Sequence, residues 1–481
     1  MRVLLAVLAL PAALAAQTPA ASVAAAPADT SVVGSWLGSV TAGGMRLRLG
    51  LNLRAAPGGK LVGTLDSFDQ GMTGLPIEKV VLAGDTLRLA MAGMQATFQG
   101  TLSSDRRTLT GTWRQGVDMP LVLHRGDSAA RAAFAVRKRP QEPKAPFPYA
   151  VQEVTIPSVP GVTLAGTLTL PKGEGPHPAV VLVSGSGPQD RDEQLLGHRP
   201  FLVLADYLTR RGIAVLRYDD RGVGRSTGRF ATATSEDFAA DARAAVAFLR
   251  KRPDVASGKV GIAGHSEGGL IAPMVARDPA AGVGFVVMLA GPGVRGDSIL
   301  VAQGDLIARA MGTADSVRTR NLAASRRIYG IIAAERDSAA LLTQVRAATR
   351  DLIAAAPGAR GTPDSMMVEV QARQLTTPWF RYFLTYDPQP TLRAVKVPVL
   401  AVNGTLDLQV PYEDNLAAIK AALSAGGNRD HTELALRGLN HLFQTTKTGS
   451  PAEYADIEET FAPSALQVIG DWIVERVGQK R

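Results

Sequence analysis

The pentapeptide Gly264-His265-Ser266-Glu267-Gly268 has the residue types and the spacing of a serine nucleophile. Apolar runs predict a buried strand before it, at 259–263, and a helix after it, at 270–276. A serine between a strand and a helix lies on a tight turn that exposes its hydroxyl, and small flanking glycines avoid a Cβ clash there. The alternative is a glycine-rich turn with an incidental serine. The pattern indicates acyl transfer, provided that a base and an acid lie nearby.

The second requirement is a histidine base, because a serine hydroxyl alone is a weak nucleophile. In enzymes with a serine on such a turn, an acid and then a histidine follow it along the chain. Only His431 and His441 follow Ser266. His441 comes after a predicted strand at 432–436, at the end where a catalytic histidine belongs, whereas His431 precedes that strand. We predict His441 as the base and His431 as a surface residue.

The predicted acid is Asp407, which follows a buried strand and a glycine turn within 397–407. Its position after a strand places it at the same sheet edge as His441. Glu413 and Asp414 are weaker candidates because they lie inside the next predicted helix. The structural alternative for Asp407 is a turn residue that caps this helix.

Acyl transfer also needs hydrogen-bond donors for the developing oxyanion. The backbone N–H of Glu267, directly after the serine, is one predicted donor. The second is the N–H of Ser186, in the loop 184–188 that follows a predicted strand. Since both donors belong to the backbone, the two side chains need take no part in the chemistry.

Another glycine- and arginine-bearing segment occupies 219–226. A phosphate-binding loop would need a Lys-Ser/Thr pair at a fitting glycine spacing, which this segment does not have. We predict a structural loop near the site, in which Arg221 ties neighbouring loops together. His177 and His198 show no metal-ligand spacing, so neither a metal nor a cofactor is expected.

The elements that must position these residues begin near residue 151, where predicted strands alternate with predicted helices. Several strands are continuous apolar runs, typical of parallel strands covered on both faces. This predicts an α/β fold with a doubly wound, mostly parallel, eight-stranded sheet over 151–294 and 391–481.

Residues 295–390 interrupt this alternation with helical spacing. We predict a helical cap over the site; a scaffolding or dimerising insertion is the alternative. Trp379 and Phe380, late in this region, either line an acyl pocket or pack in the core of the cap.

The region 32–125 reads as a separate all-β domain, since apolar and polar residues alternate in it. Seven or eight short antiparallel strands fit a small barrel or sandwich. Trp36 and Trp113 are expected in its core, and no catalytic constellation is visible there. A Pro-rich linker is predicted at 126–150.

The first residues predict export. A charged start, an apolar run at 3–10 and Ala13-Leu14-Ala15 indicate a signal peptide at 1–15, followed by a disordered leader at 16–31. An uncleaved anchor is the alternative, and no stable membrane span is expected because no later apolar run is long enough. The sequence has no cysteine, which excludes disulfides and a cysteine nucleophile. The expected location is the periplasm or the exterior of a bacterium.

Charge excludes one class of partner. The chain of 481 residues carries a formal net charge of +9, but its charges are scattered, and no basic run is longer than the three residues of Arg137-Lys138-Arg139. Nucleic-acid binding needs a clustered basic surface and is therefore not expected.

Five segments together resemble the α/β-hydrolase superfamily over 151–481: SGSGPQDRDE, RYDDRGVGRSTG, GIAGHSEGG, VPVLAVNGTLD and GLNHLFQ. The chain is similar to exported bacterial serine esterases and to peptidase-like hydrolases related to serine aminopeptidases and prolyl oligopeptidases. The resemblance implies catalytic roles for Ser266, Asp407 and His441, with Ser186 and Glu267 as oxyanion donors. It departs at Ser184-Gly185, where many relatives have His-Gly.

The predicted function is hydrolysis of a small-molecule carboxylic ester through a Ser-His-Asp triad and an acyl-enzyme. The first alternative is a peptidase that acts on short peptides; it needs an acidic anchor for a free amine, for which Glu267 and carboxylates of the cap are candidates. The second alternative is a protein whose β domain binds glycans or cell-wall material, with a vestigial hydrolase domain.

Overall fold

A computed structural model of the chain describes residues 30–42, 45–70, 72–91, 94, 96–115, 117–135, 138–355 and 365–478. The predicted signal peptide lies outside the described residues, and so does the predicted leader except for its last two positions. The chain divides into two compact units, Met1–Lys138 and Arg139–Arg481.

The described part of the first unit contains a nine-stranded antiparallel sheet. Neighbouring strands pair in the order β4-β3-β2-β1-β9-β8-β7-β6-β5, so its two edges are β4 and β5. The sheet is nearly closed, because β3 contacts β5 and β4 contacts β6. The strands are β1 Gly34–Ala42, β2 Met45–Ala55, β3 Leu61–Ser67, β4 Met72–Ile77, β5 Lys79–Ala83, β6 Thr86–Met91, β7 Ala96–Leu102, β8 Thr108–Gln115 and β9 Val117–Gly126.

Alternation along several of the strands fills the interior of this sheet. In β7, for example, every second side chain is buried and those between are exposed. Trp36 and Trp113 are both buried in the resulting core, and the Trp36 indole N–H donates to the Val32 carbonyl at 2.8 Å. The predicted small all-β domain is confirmed; of the two architectures left open, the nearly closed sheet is the barrel type, with nine strands rather than the seven or eight expected.

The segment predicted as a linker at 126–150 differs in its first part, where helix α1 spans Ser128–Ala135. This helix packs on the barrel: Arg131 forms an ion pair with Asp66, and the Phe134 ring meets Phe68 edge-on. The prolines behind the linker prediction begin only at Pro140. The alanine-rich run before them is a good helix former, and the prediction missed it.

The second unit contains the predicted eight-stranded sheet, in the order β10-β11-β13-β12-β14-β15-β16-β17. β10 and β11 are antiparallel to their neighbours, and the strands from β13 onward in this order are parallel. The strands are β10 Ala150–Pro157, β11 Thr163–Leu170, β12 His177–Val183, β13 Ala214–Tyr218, β14 Val255–His265, β15 Val286–Leu289, β16 Val399–Gly404 and β17 His431–Leu436.

Helices cover both faces of this sheet, which is why its central strands are continuous apolar runs. α2 (Pro200–Arg210) and α12 (Pro463–Val477) pack on one face. The opposite face carries α3 (Ser235–Arg250), α4 (Glu267–Ala276) and α11 (Tyr412–Ala425). The predicted doubly wound α/β fold is confirmed.

The region between β15 and β16 is helical where the structure describes it. It comprises α5 Gly296–Ala310, α6 Asp315–Ala334, α7 Ser338–Ala354, α8 Ser365–Leu375, α9 Pro378–Thr385 and α10 Pro388–Ala394. Helices α5 to α9 share an apolar cluster of their own, built around Tyr329, Val345 and Phe380, whereas Leu392 of α10 packs in the core beneath the sheet. None of the helices in the described part of the chain is long and apolar enough to cross a membrane.

Candidate active site

Ser266 lies on the turn between β14 and α4. Its backbone has φ 53° and ψ −117°, a conformation that residues other than glycine rarely adopt and that marks strain at functional sites. The turn is held by hydrogen bonds from the Ser266 N–H to the Leu289 carbonyl at 2.8 Å and from the Gly269 N–H to the Ser266 carbonyl at 2.9 Å. The strand, turn and helix expected around this serine are therefore all present.

The two glycines of the pentapeptide are required by close backbone contacts. A Cβ on Gly264 would lie 1.9 Å from the carbonyl oxygen of Gly268. A Cβ on Gly268 would lie 2.1 Å from the carbonyl oxygen of Val183 in β12. Since both obstacles are backbone atoms, no side-chain movement relieves them, and the turn accepts only glycine at these positions.

His441 and Asp407 lie at the carboxyl ends of the adjacent parallel strands β17 and β16. The His441 Nδ1 is 2.8 Å from Asp407 Oδ2, and both side chains are buried. Asp407 Oδ1 accepts from the backbone N–H groups of Gln409 and Val410 at 2.8 and 2.9 Å. Because a carboxylate only accepts, His441 donates from Nδ1, and its Nε2 is left as a proton acceptor.

The histidine loop touches the serine turn through His265, the residue before Ser266. The His265 Nε2 is 2.9 Å from the His441 carbonyl oxygen, and the two imidazole rings are 4.8 Å apart between centroids. Within the described structure, the Ser266 hydroxyl and the His441 ring are not hydrogen-bonded to each other. Contacts of this kind often tighten only when substrate binds.

Two backbone N–H groups beside Ser266 are free to receive an oxyanion. The N–H groups of Ser186 and Glu267 have no acceptor among the described residues, whereas the neighbouring Gly185 N–H donates to the Glu193 carboxylate at 2.6 Å. Glu267 opens helix α4, where the helix dipole favours negative charge. The loop 184–188 passes close to the serine, since a Cβ on Gly185 would lie 3.1 Å from the Ser266 Cβ.

The side chain of Glu267 is directed away from solvent and is only 2% exposed. It accepts hydrogen bonds from the Ser235 hydroxyl at 2.6 Å and from the Trp379 indole at 2.8 Å. Burial raises the pKa of Glu267 to about 7. Because its oxygens are already engaged, this carboxylate is a poor anchor for the amine of a peptide.

Trp379 and Phe380, predicted to line a pocket or pack in the core, differ in position. Phe380 is 1% exposed and packs beside Tyr329 in the helical cluster, so its ring lines no cleft. Trp379 is half-buried, stacks on Phe383 and links α9 to Glu267 of α4. This hydrogen bond joins residues 112 positions apart in the chain, so no local sequence pattern predicts it.

The segment 219–226 acts as a scaffold beside the site. Arg221 joins it to α3 through Asp241 at 2.6 Å and Asp237 at 3.1 Å. Asp220 holds the loop 184–188, because it accepts from the Ser184 hydroxyl and the Gln189 N–H at 3.0 Å each. Burial raises the pKa of Asp220 well above its usual range.

Two buried residues beside the serine turn were not predicted to matter: Glu193 and His265. The Glu193 carboxylate lies 2.9 Å from the His265 Nδ1 and also accepts from the loop 184–188. His265 occupies a variable position of the Gly-x-Ser-x-Gly pattern, so the pattern assigns no role to its side chain. The only sequence signal for Glu193 is its place at the end of the segment SGSGPQDRDE.

His431, the histidine predicted to lie at the surface, belongs to a second array of similar residue types. Its Nε2 is 3.1 Å from the Ser424 hydroxyl, and its Nδ1 is 2.7 Å from Glu433. Ser424 is exposed near the end of α11 and lies on no strand–helix turn. Among the described residues, no group of three or more His, Cys, Asp or Glu is arranged to hold a metal.

Sequence comparison finds similarity to a peptidase family and to proteins named as esterases. The profile of the X-Pro dipeptidyl-peptidase (S15) family matches residues 160–442. Esterase EstD of Thermotoga maritima is 27% identical over 311 residues, which are 64% of this chain and 64% of EstD. Esterase FrsA of Escherichia fergusonii is 34% identical over 114 residues, which are 23% of this chain and 25% of FrsA. The chain thus spans less than two thirds of the length of these curated relatives.

Solved structures whose backbones superpose on part of this chain include an esterase of Pyrococcus furiosus. The match has a TM-score of 0.43 and 15% identity, and it covers 68% of this chain and 91% of that one. The proline iminopeptidase of Mycobacterium smegmatis has a TM-score of 0.41 and 16% identity over 68% of this chain and 98% of that one. The predicted resemblance to α/β-hydrolases with esterase and peptidase relatives is confirmed by the family match and EstD. The chain belongs to the X-Pro dipeptidyl-peptidase (S15) family.

Proposed function

We propose that this protein is a serine hydrolase that cleaves carboxylic esters of small molecules through Ser266, His441 and Asp407. The observation that carries the proposal is the strained Ser266 turn, which lies at the same sheet edge as the hydrogen-bonded His441–Asp407 pair. The esterase relatives support an ester substrate.

In the proposed mechanism, the His441 Nε2 takes the Ser266 proton as the hydroxyl oxygen attacks the acyl carbonyl carbon. The Asp407 carboxylate keeps the other ring proton on Nδ1 and stabilises the imidazolium that forms. The N–H groups of Ser186 and Glu267 donate to the oxyanion. His441 then returns its proton to the leaving alcohol, and water activated by the same histidine hydrolyses the acyl-enzyme.

The second candidate function is a peptidase that releases dipeptides, and the family match favours it. Such an enzyme must recognise the free amine of its substrate. Glu267, one of the predicted anchors, is closed off by Ser235 and Trp379. This favours the ester substrate over the peptide. The strained serine turn likewise favours an active enzyme over a glycan-binding protein with a vestigial hydrolase domain.

The helical segment 295–390 is proposed to act as a cap that limits the size of the acyl group. The hydrogen bond between Trp379 and Glu267 supports this, because it brings α9 next to the residue that follows the serine. The signal-peptide pattern at 1–15 supports export to the periplasm or beyond, and the scattered charge supports a substrate other than nucleic acid.

The test compares p-nitrophenyl acyl esters with X-Pro anilides on wild type and on Ser266→Ala. We expect ester turnover by wild type and a loss of kcat on the order of 10⁴-fold or more in the variant. The control is Ser424→Ala, which removes the serine of the other array and should leave kcat unchanged. Full activity in Ser266→Ala would refute the triad, and much faster turnover of the anilide would favour the peptidase.

A further inference from the structure

Glu193 and His265 are buried beside the serine turn, and the proposed mechanism uses neither side chain. Glu193 is 5% exposed, and one of its oxygens, Oε1, accepts from both the Gly185 N–H at 2.6 Å and the His265 Nδ1 at 2.9 Å. Its other oxygen, Oε2, is buried and has no partner in the described structure. A proton on Oε2 would therefore face no acceptor, so any proton that Glu193 and His265 share lies on the contact between Oε1 and Nδ1.

The hydrogen bonds of His265 determine its protonation state. Its Nδ1 faces the Glu193 carboxylate, and its Nε2 faces the His441 carbonyl oxygen at 2.9 Å. With Glu193 ionised, both partners only accept, and a neutral imidazole has one N–H for them. The proton of the Oε1–Nδ1 contact is assigned to Nδ1, because Oε1 already accepts from the Gly185 N–H and a charged oxygen is the stronger acceptor for two donors, so His265 is an imidazolium paired with Glu193.

The surroundings of the ring agree with this assignment. Burial lowers the pKa of His265, but the charge of Glu193 and its hydrogen bonds raise it, and the net result is a pKa above the usual value. The other titratable groups near the pair are Asp407, whose charge also favours the imidazolium, His441, whose ring lies against it, and Asp220, whose pKa is raised by burial and by the charge of Glu193.

This ion pair joins three segments that the proposed chemistry needs in register. Glu193 holds the Gly185 peptide, which precedes the proposed oxyanion donor Ser186. His265 is the residue before Ser266, and it holds the main chain of His441. The backbone of Glu193 has φ 51°, a left-handed conformation that is uncommon for a glutamate and that the surrounding structure must maintain.

We propose that Glu193 and His265 are positioning residues, whose ion pair fixes the oxyanion loop and the main chain of His441 relative to Ser266. The inference rests on the proposed function. Neither side chain touches the reacting atoms in this mechanism. A misplacement of about 1 Å in such a site is enough to lower a rate on the order of 100-fold, so loss of the pair acts on kcat.

The first test is Glu193→Gln. The amide oxygen can still accept from the Gly185 N–H and from an Nδ1–H, but a neutral residue 193 no longer supports the charge of His265, and a neutral ring has only one N–H for its two acceptors. At about pH 8 we expect kcat to fall on the order of 10- to 100-fold with KM within about twofold of wild type. The ratio of the variant's kcat to that of wild type should rise again towards about pH 5.5, because acid restores the second ring proton.

The matched control is Glu433→Gln, which changes the glutamate of the other Glu–His contact, on β17, and should leave kcat and its pH profile unchanged. A Glu193→Gln enzyme with wild-type kcat at every pH would overturn the inference. So would a loss of kcat that is the same at every pH, since a merely structural role predicts that result.

A second measurement detects the protonation state without activity. In protein labelled with ¹⁵N-histidine, one of the six rings should remain doubly protonated at about pH 8, and its signal should disappear in His265→Leu. The same ring should become singly protonated in Glu193→Gln. A neutral His265 in wild type would overturn the inference. An inactive Ser266→Ala alongside an unaffected Glu193→Gln would refute this pair alone, whereas a fully active Ser266→Ala would refute the proposed function itself.

Discussion

Among the described residues of the second unit, two serine–histidine–carboxylate arrays can be compared, and the one with more complete hydrogen bonds is not the proposed active site. In the array Ser424–His431–Glu433, contacts of 3.1 and 2.7 Å join all three side chains. In the array Ser266–His441–Asp407, the described contact is that between the histidine and the acid, at 2.8 Å. Hydrogen-bonded side chains alone therefore do not identify a hydrolase site.

The two serines differ in their backbone. Ser266 precedes the first residue of helix α4, at a strained φ of 53°, where free N–H groups point outward and negative charge is favoured. Ser424 lies in the last turn of α11, where carbonyl groups point outward and oppose an oxyanion. A serine at the end of a helix has no donors for the charge that acyl transfer creates, whatever its histidine does.

The largest expected effect is the loss of kcat when the acid of the array Ser266–His441–Asp407 is replaced. In Asp407→Asn, His441 loses the acceptor that fixes its tautomer, and we expect kcat for ester hydrolysis to fall on the order of 10⁴-fold. Asp414→Asn, an exposed change seven positions further on, is the control and should have no effect on kcat. Comparable activity in the two variants would remove Asp407 from the triad.

The next effect concerns the glycines beside each serine. Alanine at Gly264 would place its Cβ 1.9 Å from a backbone oxygen, and we expect a loss of about 3 kcal/mol or more in unfolding free energy. Gly427 follows α11 and has open space around it, but its φ is 79°, so Gly427→Ala should cost only about 1 kcal/mol. Thermal unfolding of both variants measures the difference. Equal losses would contradict the packing of the serine turn.

The third effect, which develops only gradually with pH, is a pH dependence of stability at Glu267. Its folded pKa of about 7 lies above the usual 4.5, so the folded state holds the proton more tightly than the unfolded state. The protein therefore loses stability from this group as pH rises from about 4.5 to about 7, by up to about 3 kcal/mol in all, and none further above that range.

Glu267→Gln isolates the contribution of this carboxyl group to the unfolding free energy, because glutamine keeps the size of the side chain and cannot ionise. Equilibrium urea unfolding should show the variant gaining stability relative to wild type between about pH 5 and pH 8. Glu174→Gln, at an exposed turn, is the control and should show no such gain. A constant difference between Glu267→Gln and wild type across this range would mean that Glu267 is ionised throughout.

The local part of the site was accessible from the sequence. The elbow, the barrel alternation and the strand-end positions of Asp407 and His441 all depend on residues close together in the chain. Helix α1 was not predicted, because its residues were included in the linker that the prolines further along the chain indicate. Phe380 shows the same limit, since apolar side chains in a helical region do not reveal which of them face a cavity.

Sequence by itself determined the class of fold and the serine turn, because glycine requirements and apolar periods act within a few residues. Only the tertiary structure showed that Ser266 lies before a helix start and Ser424 at a helix end, and it alone engaged Glu267 with Trp379 and paired Glu193 with His265. The physical reason is distance along the chain. A hydrogen bond between residues 72 or 112 positions apart depends on how the strands are ordered and the loops folded, and no local preference encodes it.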